Sequence, residues 1–327
     1  MSKPMFRSKN PLRTRPQKPA RLSQRRTEAE IPTPTATLIR LLTSAATIWV
    51  AFGTCLCFTF FVPSATPQSS DAKVGSGGHG ATNFIATRVY SQDEDDRVLK
   101  LFDGLRVADV SDGMDAAGLQ NIGLMNADIR PLWKDTQNFT HRFIGIAVTA
   151  RYVPTQSPPA GRMKTVEYDK WVSDWYRQKS SEPFVNFLRR GSALVIEDAS
   201  EADVGSIGSN NIMNWKLRGC LGVVTSATAR DTDEITTERI PLYFHKPGRG
   251  IRPGRNEIES VNRPIVCGGV SVMPGDVIVA DGDGVIVVPR SRAEEVAQYS
   301  KRILNEDKAA RRKLYERLGL PADPSVK

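Results

Sequence analysis

The chain has 327 residues, a formal net charge of +9 and 40% hydrophobic residues, which is enough for one or two domains with a sizeable core. Residues 1–40 carry ten Lys or Arg residues against two acidic ones, so the rest is close to neutral and nucleic acid is not indicated as a partner. Four cysteines and three scattered histidines argue against a disulfide framework and against a zinc hydrolase.

The first 83 residues have the composition of a tail, an apolar segment and a linker. Residues 1–40 are basic and rich in Pro, Ser and Thr, which is typical of disorder. Residues 41–62 carry no charge and could cross a bilayer as a helix, which takes about 20 residues. Residues 63–83 indicate a flexible linker. The basic flank predicts a body across the membrane, through a retained anchor or a cleaved signal; without this extension the protein would be cytoplasmic.

Residues 84–327 are expected to form one domain, which begins with helices. Ser91 followed by acidic residues predicts a helix start, with apolar residues at helical spacing after it. A second helix is predicted over residues 107–118, VADVSDGMDAAG, where Asp109, Asp112 and Asp115 share one side. These carboxylates could bind a metal, but capping and a solvated helix face explain them at least as well.

The rest of the domain alternates between predicted strands and helices. Residues 143–152 and 192–196 are apolar or β-branched and predict strands. Between them, residues 153–189 predict a Pro-rich loop and an aromatic helix. Three further strands are predicted at residues 240–244, 265–272 and 276–288. An amphipathic helix over residues 292–318 is predicted to close the chain.

A basic loop at residues 246–256 reads KPGRGIRPGRN. Its Arg249, Arg252 and Arg255 could clamp an anionic substrate, because guanidinium groups bind carboxylates. A solvated loop is the more common explanation of such a composition.

The stretch most typical of a functional site runs from Gly205 to Asp231 and reads GSIGSNNIMNWKLRGCLGVVTSATARD. It predicts a glycine-rich loop, a helix, a short strand and then the adjacent Arg230 and Asp231. Glycine allows close approach to a ligand, and the N–H groups that open a helix favour an oxyanion. Arg230 offers a fork for a carboxylate, and Asp231 a hard oxygen ligand for Mg²⁺ or Mn²⁺. An ordinary loop and a surface ion pair are the alternative.

Three segments resemble the RraA-like family, which contains 4-hydroxy-4-methyl-2-oxoglutarate aldolases and regulators of ribonuclease E activity. Residues 273–296, MPGDVIVADGDGVIVVPRSRAEEV, resemble its C-terminal hallmark. Residues 107–118 match its N-terminal helix, and residues 218–231 its central segment. The resemblance implies an α/β fold, a swivelling β/β/α domain, assembled as a homotrimer or a homohexamer with sites between subunits.

The resemblance also implies a role for each residue of the candidate site. In the aldolase branch, the arginine that matches Arg230 binds the pyruvyl carboxylate, and the aspartate that matches Asp231 binds Mg²⁺ or Mn²⁺. Arg230 and Asp231 are therefore the predicted catalytic residues. The matching loop binds the substrate, and its residues here are Gly208, Ser209, Asn210 and Asn211.

One departure from the aldolases concerns the base. They carry an aspartate 21 residues before the arginine that acts through water, and here this position is Ser209. A hydroxyl cannot replace a carboxylate base, so Asn210, Asn211 or water substitutes, or the reaction differs.

The predicted function is a metal-dependent lyase that cleaves a 2-oxo acid by retro-aldol reaction or decarboxylation through a pyruvate enolate. A non-catalytic regulatory or interaction protein is the alternative. A third hypothesis is the same mechanism on a bulkier sugar acid or hydroxy acid. No nucleotide cofactor is expected, because no glycine-rich segment stands between a predicted strand and a predicted helix in the manner of a dinucleotide site.

Overall fold

The computed structural model describes residues 84–198 and 203–327. The predicted tail (1–40), apolar segment (41–62) and linker (63–83) lie outside the described residues. In the part that is described, no helix combines the length and the apolar character that a bilayer crossing requires. Membrane anchoring or export therefore stays a prediction.

The described domain contains six α-helices and thirteen strands. The helices are α1 (Gln92–Phe102), α2 (Val107–Ala116), α3 (Thr165–Gln178), α4 (Ser209–Leu217), α5 (Thr232–Thr237) and α6 (Ala293–Leu318). The strands are β1 (Arg130–Pro131), β2 (Phe143–Pro154), β3 (Ser192–Asp198), β4 (Gly205–Ile207), β5 (Cys220–Thr225), β6 (Thr228–Ala229), β7 (Leu242–Phe244), β8 (Lys246–Pro247), β9 (Asn256–Val261), β10 (Ile265–Cys267), β11 (Val270–Val272), β12 (Val277–Asp281) and β13 (Gly284–Val288).

Local sequence signals explain where the first helix of the domain begins and where the last helix ends. Ser91 accepts a hydrogen bond from the Glu94 N–H at 3.2 Å, and the Glu94 carboxylate accepts one from the Ser91 N–H at 2.8 Å. This capping box starts α1 where the sequence predicts it. At the other end, α6 stops at Gly319, whose φ of 66° is in the left-handed region. Helices α1, α2 and α6 share one hydrophobic cluster with β12 and β13.

The main sheet is mixed and has β2 near its middle. On one side β2, β3, β5 and β7 run parallel to their neighbours. On the other side β2 pairs antiparallel with β12, which forms a hairpin with β13. Alternate residues of β3 face opposite clusters: Leu194 and Ile196 pack toward α4, whereas Ala193 and Val195 pack against β10 and β12. This period of two is typical of a strand that is buried on both faces.

The two ends of this sheet are connected by residues 124–131, so that the sheet is nearly closed, like a barrel. Leu124 forms an antiparallel bridge to Ile286 in β13. Six residues later, β1 pairs antiparallel with β7 at the opposite end. The result confirms the expected mixed α/β fold.

Two features of the fold differ from the sequence prediction. The segment that begins at Gly205, predicted as a loop, contains β4, which forms a small parallel sheet with β6 and β8. The predicted basic loop is followed by β9, which the sequence did not predict and which pairs antiparallel with the second half of β2. Cys220 and Cys267 are buried and free, as expected, and burial raises the pKa of the Cys220 thiol to about 11.

His141 gives the domain a pH-dependent stability. Its ring is buried, and Nδ1 accepts a hydrogen bond from the Asp135 N–H at 3.1 Å. Burial, followed by the nearby Arg142, lowers the pKa of His141 below its ordinary value. The unfolded chain therefore takes up this proton first, and stability is lost as pH falls from about 6.5 through the lower pKa of the folded state.

We expect the free energy of unfolding to decrease between about pH 7.5 and about pH 5.5, as measured by urea denaturation. The variant His141→Asn keeps an acceptor near Nδ1 without titrating in this range, so it should lose much of the pH slope. The exposed His245 provides the control, since His245→Asn should retain the slope. An unchanged slope in His141→Asn would contradict this interpretation.

Candidate active site

The candidate site lies where β4 and β6 end side by side. The two strands run parallel, with Gly205 opposite Thr228 and Ile207 opposite Ala229. The Arg230 N–H continues the pairing by donating to the Ile207 carbonyl at 2.8 Å. Because the carboxyl ends of parallel strands meet at one edge of a sheet, Gly208 lies beside Arg230 and Asp231.

A sharp turn after β6 brings both predicted catalytic side chains to one side. Asp231 has a φ of 57° and a ψ of 39°, in the left-handed region, and α5 begins at the next residue. Aspartate adopts this conformation more readily than most residues, although it still carries backbone strain. Arg230 Nε lies 3.8 Å from Asp231 Oδ1, and the side chains are 36% and 37% exposed. The guanidinium and the carboxylate are therefore adjacent and accessible to solvent.

The Asp231 carboxylate lies at the N-terminus of α4. Its Oδ2 accepts a hydrogen bond from the Ser209 N–H at 3.1 Å, and the Ser209 hydroxyl is 3.5 Å away. The positive end of the helix dipole stabilises a carboxylate in this place. The sequence predicted that these amides would meet a substrate oxyanion, but the first of them is used by Asp231. The result is a fixed position for Oδ2.

Gly205 and Gly208 make room for these two side chains. A Cβ on Gly205 would lie 2.6 to 2.9 Å from the Cβ, Cγ and Cδ of Arg230. A Cβ on Gly208 would lie 2.7 Å from Asp231 Oδ2 and 3.4 Å from Asn211 Oδ1. A side chain at either position would have to displace Arg230 or Asp231 from its place, so glycine suits both positions. The sequence analysis had assigned them to close contact with a ligand.

The two asparagines of α4 differ in their surroundings. Asn211 donates from Nδ2 to Glu182 Oε1 at 2.7 Å, and its Oδ1 faces Gly208. Asn210 is exposed at the second position of the helix. The structure thus brings Gly208, Ser209 and Asn211 together with Arg230 and Asp231, and leaves Asn210 at the edge.

Glu182 and Arg252 form a buried ion pair behind Asn211 that the sequence did not predict. Arg252 is 4% exposed and Glu182 18%. Arg252 also donates to the Tyr152 hydroxyl at 2.6 Å and to the Ser180 carbonyl at 3.2 Å. Burial alone would lower the pKa of Arg252, but Tyr152 and Glu182 beside it raise the pKa on balance. Seventy residues separate the pair, so no sequence spacing could have indicated it.

The three arginines of the basic loop, which could have clamped an anionic substrate, do not converge in the described chain. Arg249 pairs with Asp203, and Arg255 donates to the Ile251 carbonyl at 2.8 Å. Since Arg252 is buried in its ion pair, the three guanidinium groups have separate partners. Only Arg252 is connected to the Arg230 site, through Glu182 and Asn211.

Among the described residues, the α2 carboxylates do not form a metal centre with a further acidic, His or Cys side chain. Asp109 is buried and accepts hydrogen bonds from Arg106 Nε and the Arg106 N–H, each at 2.9 Å. Across residues 84–198 and 203–327, no group of three or more His, Cys, Asp or Glu side chains could hold a metal ion. A cation at the candidate site would therefore have at most two such side chains from the described residues, one of them Asp231.

Five clefts of 260 to 540 Å³ mark the described surface, and none of these five is lined by Arg230 or Asp231. The cleft of 540 Å³ lies between Trp171 and the basic loop. Within one chain, the side chains of Arg230 and Asp231 are each more than one third exposed to solvent.

A comparison with protein families matches residues 107–287 to the RraA-like family, described as Aldolase/RraA. The match covers more than half of the chain. The chain belongs to the RraA-like family. The matched region includes Arg230, Asp231 and the α4 residues beside them, so the candidate site lies inside the RraA-like region.

Curated relatives match parts of the chain that differ in length. Protein DlpA of Legionella pneumophila is 26% identical over 192 residues, which are 58% of this chain and 27% of DlpA. A 4-hydroxy-4-methyl-2-oxoglutarate aldolase of Thermus thermophilus is 28% identical over 102 residues, which are 30% of this chain and 60% of the aldolase. The chain thus spans less than two thirds of the length of either relative.

Two solved structures share the RraA-like fold. An uncharacterized protein from Pseudomonas syringae pathovar tomato has a TM-score of 0.53 at 23% identity, covering 69% of this chain and 94% of its own. A Streptomyces coelicolor protein, described as an unusual member of the RNase ES inhibitor RraA family, has a TM-score of 0.52 at 20% identity, covering 66% and 96%. These likenesses concern the fold alone.

Proposed function

We propose that this RraA-like protein is a divalent-metal-dependent lyase that releases pyruvate from a 2-oxo acid. The observation that carries the proposal is the turn at Asp231, which holds a guanidinium and a carboxylate on one side of the chain at the start of α4. Relatives named as 4-hydroxy-4-methyl-2-oxoglutarate aldolases support a lyase. The reaction would pass through a pyruvate enolate.

The residues present fit Mg²⁺ or Mn²⁺ as the cofactor. Asp231 is partly exposed, and the amide of Ser209 fixes one of its oxygens while Oδ1 has Arg230 Nε only at 3.8 Å. Magnesium keeps several waters and often takes one or two protein carboxylates, so a site with one aspartate suits it. When bound, the metal would supply positive charge for the oxygen on which negative charge develops.

Arg230 would bind the carboxylate of the substrate. Its guanidinium makes no hydrogen bond to another residue of the described chain, so its planar fork is free for two N–H···O bonds. The contact with Gly205 fixes the aliphatic part of the side chain. A substrate held in this way would present its 2-oxo group toward Asp231, while the fixed charges stabilise the enolate.

Proton transfer favours decarboxylation over aldol cleavage at this site. Retro-aldol cleavage needs a base to take the proton from the hydroxyl of the substrate, and Ser209 is no such base. Loss of carbon dioxide from a 3-carboxylated 2-oxo acid, such as oxaloacetate, leaves the same enolate and needs no base to start. Oxaloacetate-type acids are therefore the preferred substrate class, and a bulkier acid remains the third hypothesis.

This chemistry also requires that bulk water be excluded from the site, because fixed charges act most strongly where water is absent. Arg230 and Asp231 are both more than one third exposed in the described chain. The trimer or hexamer that the family resemblance implies would place a neighbouring subunit over this surface, and it stays a prediction.

The test is pyruvate release from oxaloacetate by the full chain, with Mg²⁺ or Mn²⁺ and with excess chelator, after subtraction of the spontaneous rate. We expect turnover that needs the metal, and slower turnover of 4-hydroxy-4-methyl-2-oxoglutarate. No metal-dependent turnover of either acid, or of a panel of larger 2-oxo acids, would exclude the lyase. The remaining hypothesis would then be a non-catalytic interaction protein.

A further inference from the structure

The carboxylate of Glu182 is held by three donors, two from α4 and one from the basic loop. Its Oε1 accepts from Asn211 Nδ2 at 2.7 Å and from Arg252 Nη2, and its Oε2 accepts from Trp215 Nε1 at 2.9 Å. Arg252 and Trp215 are themselves buried. The carboxylate therefore has little freedom to rotate, and it presents a fixed acceptor to α4.

This acceptor decides the orientation of the Asn211 carboxamide. An ion-paired carboxylate accepts hydrogen bonds and donates none, so the NH₂ group of Asn211 must face Glu182. The amide oxygen then points the other way, toward Gly208. In the described chain, Asn211 Oδ1 accepts no hydrogen bond from another residue.

Two oxygen atoms consequently border one point above Gly208. Asp231 Oδ2 lies 2.7 Å, Asn211 Oδ1 3.4 Å and Arg230 Nε 3.7 Å from the position that a Gly208 Cβ would take. One oxygen carries part of a full negative charge and the other is the negative end of an amide dipole. Carboxylate and amide oxygens are ligands for hard divalent cations, and glycine leaves the space between them open.

We propose that Asn211 Oδ1 is the second protein ligand of the divalent cation, and that Glu182 is the positioning residue that aims it. This inference rests on the proposed function and adds to it a second protein ligand, without replacing the base that Ser209 cannot supply. Of the two asparagines, Asn210 is exposed, whereas Asn211 is fixed with its oxygen on the Asp231 side.

The experiment is Mn²⁺ binding to the full chain without substrate, followed by electron paramagnetic resonance of the free ion. Asn211→Leu conserves size and removes the oxygen, and we expect it to raise the Kd about tenfold or more. Glu182→Gln should raise the Kd by about 10- to 100-fold, as is common for groups that orient metal ligands, because its amide can also donate and so releases Asn211. Asn214→Leu, on the exposed face of the same helix, should leave the Kd unchanged.

The outcomes separate this inference from the proposed function. If Asp231→Asn abolishes Mn²⁺ binding while Asn211→Leu binds like the wild type, the metal site stands and the role of Asn211 is overturned. If the wild type binds no Mn²⁺, the metal-dependent function fails together with it. If Glu182→Gln does not fold, the comparison of Asn211→Leu with Asn214→Leu decides the question alone.

Discussion

Asp231→Asn is expected to lower metal-dependent pyruvate release by about 100- to 1000-fold, which is the usual cost of removing one fixed charge-stabilising group. The amide oxygen of Asn can still accept the hydrogen bond from the Ser209 N–H, which is 3.1 Å long in the wild type. Asparagine also tolerates the left-handed backbone at this position. The variant should therefore fold normally and lose the negative charge that holds the cation.

Arg230→Lys completes this test from the substrate side. Lysine keeps the charge but replaces the planar fork with a point charge, so it should bind the substrate carboxylate less well. We expect a higher KM for oxaloacetate with wild-type Mn²⁺ affinity, the reverse of the pattern in Asp231→Asn. Steady-state kinetics and metal titration on the same preparations separate the two effects.

The control for both variants is Asp233→Asn. Asp233 is an exposed acidic residue in the first turn of α5, two positions after Asp231. The Asp233→Asn variant should retain activity within about twofold, since an exposed charge in the first turn of a helix contributes little to stability. Full activity in Asp231→Asn, or equal losses in all three variants, would contradict the assignment of the site.

Those parts of the fold that depend on neighbouring residues could be predicted from the sequence. The capping box at Ser91 and the helical spacing after it gave α1 correctly, and the apolar β-branched run gave β2. The strand end beside Arg230 was also predictable, because two adjacent side chains face one side only if the chain turns. The left-handed backbone of Asp231 provides that turn.

Contacts between distant residues could not be predicted in this way. Glu182 and Asn211 are 29 residues apart, and Glu182 and Arg252 are 70 apart. Nothing in the basic loop distinguishes Arg252 from the exposed Arg249, since burial depends on how α3 and β9 pack. Gly205 accommodates Arg230, which lies 25 residues later in the chain, and the sequence alone could not show this contact.

The ion pair between Glu182 and Arg252 predicts the largest effect on stability. Glu182→Gln should lower the free energy of unfolding by about 3 to 5 kcal/mol, because it leaves the charge of Arg252 buried without its counter-ion. The two remaining acceptors of Arg252, the Tyr152 hydroxyl and the Ser180 carbonyl, are neutral. Glu259→Gln is the control, since Glu259 is an exposed partner of Arg151 at 3.8 Å and should cost less than about 1 kcal/mol.

A second substitution distinguishes the unpaired charge from a loss of shape. Arg252→Met removes the cation and leaves Glu182 with two donors, Asn211 and Trp215, and with partial exposure to water. Added to Glu182→Gln, it should therefore recover part of the lost stability in urea denaturation, because no buried charge remains. A double variant that loses the sum of both single effects would mean that Glu182 and Arg252 stabilise the domain independently. The orientation of Asn211 would then have no rigid ion pair behind it.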